Sequence, residues 1–305
     1  MSALTGKPQV TRFPDGQGSH ARRWISDVSE LCKARITLMV LVTTLVGFLF
    51  AWHGPLDLLY LFQTLGGTAL AASGAAALNQ VFEVELDARM RRTRNRPLPG
   101  RRMTLDEGLI IGITCSVGGI FWLSFATNLY AGILSALTIG VYVFVYTPLK
   151  RVTTLNTIVG AIPGALPPVI GWTAARGQAS FESWILFAIL FLWQMPHFLS
   201  ISWLYREDYK QAGFVMLASF DPACQVTGRQ SLLYTMGLIS VSFLPAMLEL
   251  TSFWYLPIAA IMGGYFLLMA FRFAISGTDR AARRLFVASI VYLPVTLAAL
   301  AFARL

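Results

Sequence analysis

Asn79, Glu83 and Asp87 stand four residues apart at the start of the stretch NQVFEVELDARMRRTRNRPLPG, residues 79–100. On a helix, positions i, i+4 and i+8 share one face, so the two carboxylates and the amide would project together while Glu85 points elsewhere. Carboxylate and amide oxygens are hard ligands suited to Mg2+, which is usually held by one or two carboxylates plus substrate phosphates. Seven arginines follow between positions 89 and 102, and guanidinium groups clamp phosphate oxygens with paired hydrogen bonds. The chemistry open to this set is the binding of a diphosphate through magnesium. The arginines alone fit the solvated end of a membrane helix equally well. Asn79 and Glu83 fit it poorly, because polar groups near the apolar part of a span are costly and tend to face a cavity.

Two further regions carry chemistry. FLWQMPHFLSISWLYREDYKQAGFVML, residues 191–217, places Glu207 and Asp208 beside Arg206 and Lys210, and puts His197 after Pro196 inside an apolar run. His197 reads either as a packed, hydrogen-bonded histidine or as a contact to haem. YTPLKRVTTLN, residues 146–156, supplies Lys150 and Arg151. Trp193, Phe198, Trp203 and Tyr146 are candidates for an aromatic cavity lining, and ordinary membrane packing explains each of them as well. Cys32, Cys115 and Cys224 lie far apart. That spacing argues against a thiolate zinc site or a disulfide framework.

The elements that hold these residues are membrane helices. Of the 305 residues, 13% are charged and 56% apolar, against about 25% charged in a soluble domain. So much apolar surface needs a bilayer to cover it. Nine runs are long enough to span: about 36–52, 58–82, 107–126, 129–147, 153–174, 183–203, 230–248, 254–274 and 285–303. The expected fold is all-α and polytopic, with a polar tail over 1–30, an interfacial segment around Trp24–Arg35 and one transmembrane domain over 31–305. The fifth run is broken by prolines and glycines, which a membrane tolerates where neighbours or a cavity satisfy the freed backbone groups. If alternate loops lie on opposite sides, all of the 24 cations except Arg176 and Arg304 fall on one side. That side is cytoplasmic, with the N-terminus, and the C-terminus is periplasmic. The net charge of +9 is thus topology, and no nucleic-acid partner is expected. The three charged regions all fall on the cytoplasmic side. The amino end has no apolar run of a cleavable signal, which favours a bacterial inner membrane.

The spacing Asn79-xxx-Glu83-xxx-Asp87, followed by Met90, Arg92, Thr93 and Arg96-Pro97-Leu98, resembles the first signature of the UbiA-type membrane prenyltransferases. YTPLKR, WQMPHF and DYKQAG resemble the same family in the same order, over roughly residues 30–305. The mid-motif glutamate and the M-x-R-T-x-x-R-P-L tail resemble the branch that farnesylates haem. The resemblance implies nine helices around a central cavity. It implies transfer of a farnesyl group from farnesyl diphosphate to a vinyl of haem B, with addition of water, to give haem O for a terminal oxidase or a haem A synthase. It assigns Asn79, Glu83 and Asp87 to the diphosphate through Mg2+, Arg92, Arg96, Lys150 and Arg151 to the leaving group, and Asp208 with Glu207 to a second magnesium. Many relatives carry two acids four apart there, but the positions four from Asp208 are Leu204 and Ala212. His197, Trp193 and Tyr146 are the candidates for contact with haem or prenyl. A quinone precursor or another aromatic ring is the alternative acceptor. A transporter is the competing class, against which stand the lack of an internal repeat and the gathering of ionisable residues at one end.

Overall fold

The computed structural model describes residues 16–304, with side-chain surroundings from residue 22 onward. Residues 1–15 of the expected tail lie outside the described residues. The elements run α1 (Gly16–Leu31), α2 (Ala34–Ala51), α3 (Leu58–Arg89), α4 (Leu105–Ala126), α5 (Leu129–Gly140), a π-helical segment (Val141–Tyr146), α6 (Thr147–Leu149), α7 (Asn156–Ala165), α8 (Pro167–Arg176), α9 (Phe181–Leu204), α10 (Arg206–Ala212), α11 (Gln225–Met247), α12 (Tyr255–Ser276) and α13 (Asp279–Ala303). Among the described residues, nine helical stretches are long and apolar enough to cross a membrane, matching the nine expected runs in number and order. The bundle turns large apolar side chains outward: Phe125 is 84% and Phe302 83% exposed. Such a surface is soluble only in lipid.

Three departures from the expected boundaries bear on the site. The second span runs to Arg89 rather than to about 82. Its 32 residues make a rod of about 48 Å, longer than the ~30 Å hydrocarbon core, so Glu83 and Asp87 ride on a helical extension. EVELDAR mixes good helix formers with Val84 and Asp87, which are poorer ones, and pairing of its two inward acids, described below, helps hold it folded. The last span begins at Asp279, where Thr278 Oγ1 accepts from the Ala281 N–H at 3.3 Å. Arg280, Arg283 and Arg284 therefore stand on helix, not in a loop. The fourth span changes pitch at Val141–Tyr146. π-segments of this kind are rare and recur at functional sites.

The proline-broken fifth span is the most buried of the nine. Leu166 joins α7 to α8 while still in the helical region, at φ −74° and ψ −27°, and Pro167 opens α8. Proline costs a turn interior its N–H but suits a first turn, so the span kinks without reversing.

α1 is not a loose leader. Leu31 is fully buried against Ala77, Leu98 and Met103. Gln80 Nε2 donates to Leu31 O at 2.7 Å and to Glu30 O at 3.2 Å, satisfying carbonyls at the end of α1. Arg102 pairs with Asp27 and Glu30. Exposed Trp24 and Ile25 suit the interfacial placement expected of this segment.

α3 and α4 approach closely because small residues meet. A Cβ on Gly119 would stand 2.4 Å from Ala71 N, and one on Gly74 2.4 Å from Ser116 N, the small-residue contact that lets membrane helices touch backbone to backbone. Gly118 has nothing within 4 Å. Gly119→Val should therefore cost about 1–3 kcal/mol and lower the unfolding temperature in detergent, whereas Gly118→Val changes it little. Equal shifts for the two variants would contradict the packing described.

Candidate active site

The inward face of α3 carries Asn79, Glu83 and Asp87, each at most 3% exposed. Buried carboxylates need partners, and here each rung of the face has one. Lys33 Nζ donates to Asn79 Oδ1 at 2.7 Å, Lys150 Nζ to Glu83 Oε1 at 2.7 Å, and Arg96 Nη1 to Asp87 Oδ2 at 2.6 Å. The three cations come from three different segments. Lys33 occupies the left-handed turn between α1 and α2, at φ 49° and ψ 53°. Lys150 closes α6 just beyond the π-segment. Arg96 belongs to the loop after α3.

The residues of that loop divide the work. Met90 packs with Leu86, Ala212, Phe214 and Met216. Thr93 Oγ1 donates to the Asp87 carbonyl at 2.8 Å, capping α3. Arg92 donates to the Tyr209 hydroxyl at 3.2 Å and lies 5.1 Å from the Tyr205 ring centroid. The Pro97 carbonyl accepts from Arg102 N at 2.9 Å and Met103 N at 3.1 Å, and Leu98 is buried against α1. Thr104 with Glu107 then forms a capping box that starts α4. The M-x-R-T-x-x-R-P-L stretch is thus a folded strap that presents Arg92 and Arg96 to the face of α3.

These groups line a polar cavity of about 350 Å3 together with Tyr142, Tyr146, Asn156, Tyr209 and Phe214. A second, apolar cavity of about 290 Å3 lies alongside, walled by Ala71, Ala72, Ala75 and Ala76 of α3 and by Gly160 and Gly164 of α7. Lys33, Ile36, Tyr142, Tyr146 and Phe198 line both. A polar chamber therefore opens onto an apolar one through a collar of aromatic rings. Lys150 Nζ sits 4.4 Å over the Tyr146 ring, a cation–π contact in a partly desolvated place.

Several expected residues stand elsewhere. Arg151 is exposed and its Nη2 donates to the Phe82 carbonyl at 3.1 Å, on the outer side of α3. Neighbours at a helix end diverge in direction, so Lys150 turns in and Arg151 out. Neither Glu207 nor Asp208 lines the cavity. α10 presents Tyr209 there instead. Among the described residues no three His, Cys, Asp or Glu gather to hold a metal. Trp193 Nε1 donates to Ser289 O and His197 Nδ1 meets Ser289 Oγ, both at 2.8 Å. The two rings stack at 5.0 Å, and Phe286 closes on His197 at 5.2 Å. They fasten α9 to α13 and line neither cavity. The cavity face of α9 is the adjacent stripe: Gln194, Phe198 and Ile201. Trp203 packs edge-on against Phe273 at 5.9 Å.

Lys33, Tyr142, Asn156 and Gln194 are site residues that spacing did not reveal. A lone lysine beside an apolar run looks like a topology signal. Asn156 Nδ2 donates to Val215 O at 2.7 Å, and Val215 N donates to Lys150 O at 2.7 Å. That lock between loops leaves no sequence period.

The first rung differs from the others because Asn79 carries no charge to support its lysine. Burial, then Arg96 and Lys150, push the Lys33 ammonium down to about 7, against the smaller opposing effect of Glu83 and Asp87. An anion entering the chamber favours the charged form and raises that value. Above neutral pH, inorganic diphosphate should bind metal-free protein with proton uptake, read by calorimetry in buffers of different ionisation enthalpy. Lys33→Arg, which does not titrate, should abolish the uptake. On the second rung, Lys150→Met strands buried Glu83 and should cost about 3–5 kcal/mol. Arg151→Ala should cost about 0.5 kcal/mol or less, and chemical unfolding in detergent compares them.

The match to known proteins extends over nearly the whole bundle. Residues 40–293 match the UbiA prenyltransferase family. A protoheme IX farnesyltransferase of Solibacter usitatus (strain Ellin6076) is 45% identical over 278 residues, covering 88% of this chain and 95% of that protein. Among solved structures, a digeranylgeranylglyceryl phosphate synthase superposes with a TM-score of 0.78 at 16% identity, covering 92% of this chain and 98% of that one. A UbiA homologue from Archaeoglobus fulgidus bound to DMAPP and Mg2+ gives 0.65 at 14% identity, with 90% and 99% covered. These two structures share the fold. The chain belongs to the UbiA prenyltransferase family, and within it to the protoheme IX farnesyltransferases.

Proposed function

We propose that this membrane enzyme transfers the farnesyl group of farnesyl diphosphate to a vinyl group of haem B, adding water across that vinyl and releasing diphosphate, so that the product is haem O. The observation that carries the reading is a polar chamber lined by three acceptors and four cations, opening through aromatic rings onto an apolar cavity within a lipid-embedded bundle. The acceptor is haem because the 45% identical relative is a protoheme IX farnesyltransferase.

The donor set suits magnesium. It is two carboxylates and an amide on one helix face, the hard oxygen ligands this ion takes. Each carboxylate gives one oxygen to a cation, and neither Glu83 Oε2 nor Asp87 Oδ1 has a protein donor among the described residues. Neither of these oxygens is sealed off from the cavity. A protein of the same fold is solved with DMAPP and Mg2+ bound, which supports a metal-dependent prenyl diphosphate site. Asn79, Glu83 and Asp87 would hold the ion, which supplies Lewis-acid stabilisation of a leaving phosphate oxygen. Neither Glu207 nor Asp208 is among the cavity-lining residues, so the proposal contains one metal.

The chain's own residues supply the rest. Lys150 and Arg96 pair with the two carboxylates of α3, Lys33 with the Asn79 amide, and Arg92 stands beside them. An entering diphosphate offers these cations phosphate oxygens, and charge develops on those oxygens as the allylic carbon–oxygen bond breaks. Fixed cations aimed where charge develops lower the barrier without reorganising. The faces of Tyr142, Tyr146 and Phe198 stand at the collar, where the allylic cation forms, and aromatic faces attract cations. The alanine and glycine walls keep bulk water from it. The vinyl π-electrons then attack that carbon and need no strong base. We also assign the chamber to the cytoplasmic face of a bacterial inner membrane, supported by the one-sided loop cations. Haem A synthase or a terminal oxidase would receive the product.

Purified protein given haem B, farnesyl diphosphate and Mg2+ should form a farnesylated, hydroxylated haem. Asp87→Asn, whose amide oxygen can still accept from Arg96, should lower diphosphate release by about 100-fold or more while the protein remains folded in detergent. Formation of no farnesylated haem beside a working control would defeat the haem assignment, and unchanged turnover in Asp87→Asn would defeat the metal site.

A further inference from the structure

The reaction adds water inside a chamber built to exclude it, and Gln194 is placed to resolve that conflict. Gln194 stands on α9 four residues before Phe198, a residue of the collar. It lies one helical turn, about 6 Å, deeper along the same face, and it lines the apolar cavity. It is 5% exposed. Its Nε2 donates to Ala161 O at 3.3 Å and to Leu190 O at 3.2 Å. Carbonyls only accept, so the amide can face them only with its nitrogen, and its oxygen turns the other way. Among the described residues no donor reaches Oε1, yet Oε1 is not among the sealed polar atoms that lack a partner. It opens on the cavity. Gly164 makes room for it, since a Cβ there would come within 2.0 Å of Oε1. Of the other polar groups of this wall, Thr68 and Thr138 donate to Thr64 O and Leu134 O in their own helices, Thr37 to Cys32 O and Tyr142 to Asn79 Oδ1, while the Ser135 and Tyr146 hydroxyls, able to donate as well as accept, have no side-chain partner among the described residues.

We propose that Gln194 Oε1 accepts a hydrogen bond from the water that is added across the haem vinyl, and holds it beside the carbon it attacks. The inference rests on the farnesylation of haem proposed above. The carbon–oxygen bond of farnesyl diphosphate breaks, and its electron pair leaves with diphosphate. The vinyl π-pair forms the new carbon–carbon bond from the outer vinyl carbon, leaving the cation on the inner one, next to the porphyrin ring. A water oxygen pair closes on that carbon, and one proton of the water passes to the departed diphosphate. A neutral amide is too weak a base to take the proton, so Gln194 is a positioning residue. Where no water is held, the cation instead loses a proton from the newly bonded carbon, and the product is an alkene lighter by one water.

The test compares wild type, Gln194→Leu and Gln194→Glu with haem B, farnesyl diphosphate and Mg2+, reading diphosphate release and product mass. Gln194→Leu fills similar space without an acceptor. It should still release diphosphate while the ratio of hydroxylated haem to alkene falls about tenfold. Gln194→Glu in its protonated form keeps a donor for the carbonyls and an acceptor for the cavity, and should restore the hydroxylated product. An unchanged product ratio in Gln194→Leu overturns the inference. If that variant releases no diphosphate, Gln194→Met is judged by the same ratio. Wild type that forms no farnesylated haem overturns the functional reading, and this inference with it.

Discussion

Charge buried on α3 is the constraint on which the rest of this structure depends. Two carboxylates and an amide occupy one inward face, each nearly sealed from solvent. An isolated charge in such a place costs many kcal/mol, and pairing it within hydrogen-bonding distance is the usual remedy. No single neighbouring element can meet all three groups, because they are spread over more than two turns of helix. The partners therefore arrive separately: Lys33 from the turn before α2, Lys150 from the end of the π-segment, and Arg96 from the strap after α3. Each partner in turn dictates its own support. Lys33 needs α1 anchored by Gln80, and Arg96 needs the strap pinned by Thr93 and Leu98.

The same pairs explain why a folded chain can wait for an anionic substrate. Lys150 and Arg96 each face a carboxylate, which offsets much of the repulsion within each set of like charges, while Lys33 faces only the Asn79 amide and still feels the other two cations. Mg2+ and a diphosphate bring several charges of opposite sign that largely cancel. They can exchange partners with the existing pairs without leaving net charge stranded in the bundle. Such a site is preorganised in the sense that matters for catalysis, because its dipoles and charges are in position before the leaving group develops its charge.

How much of this was legible in the sequence depends on whether a residue obeys a period. Asn79, Glu83 and Asp87 repeat every four positions and reveal both a helix and its working face. The nine spans follow from length and hydropathy, and their number and order agree with the structure. Residues that act through three-dimensional closure leave no such trace. Lys33 is one lysine at the head of an apolar run, and its role appears only when α2 lies beside α3. Lys150 and Arg151 are adjacent and alike in sequence, but the end of α6 turns one inward and the other onto the Phe82 carbonyl. Trp193 and His197 were attractive because they are unusual in an apolar helix. Rotation of α9 by about 100° per residue hands them to Ser289 and gives the cavity to Gln194 and Phe198 instead. On α10 it is Tyr209 that lines the cavity, and its neighbour Asp208 stands outside the lining.

Irregular backbone gathers where the two chambers meet. The π-segment delivers Tyr142 and Tyr146 to the collar, and the proline-kinked α7–α8 span brings Gly160 and Gly164 against Tyr146 and Gln194. A Cβ at Gly160 would stand 2.4 Å from the Tyr146 ring, so the ring can lie against the helix only because that position is glycine. A straight α-helix in either place would face the cavity with a regular row of side chains and no shelf for an aromatic ring. The collar separates two demands that conflict in one volume. Ionising a diphosphate calls for dense charge, whereas guiding the resulting carbocation calls for a dry, polarisable wall. Placing the charges on one side of the rings and the alanines on the other satisfies both. It also confines added water to whatever hydrogen-bond acceptor the apolar side contains.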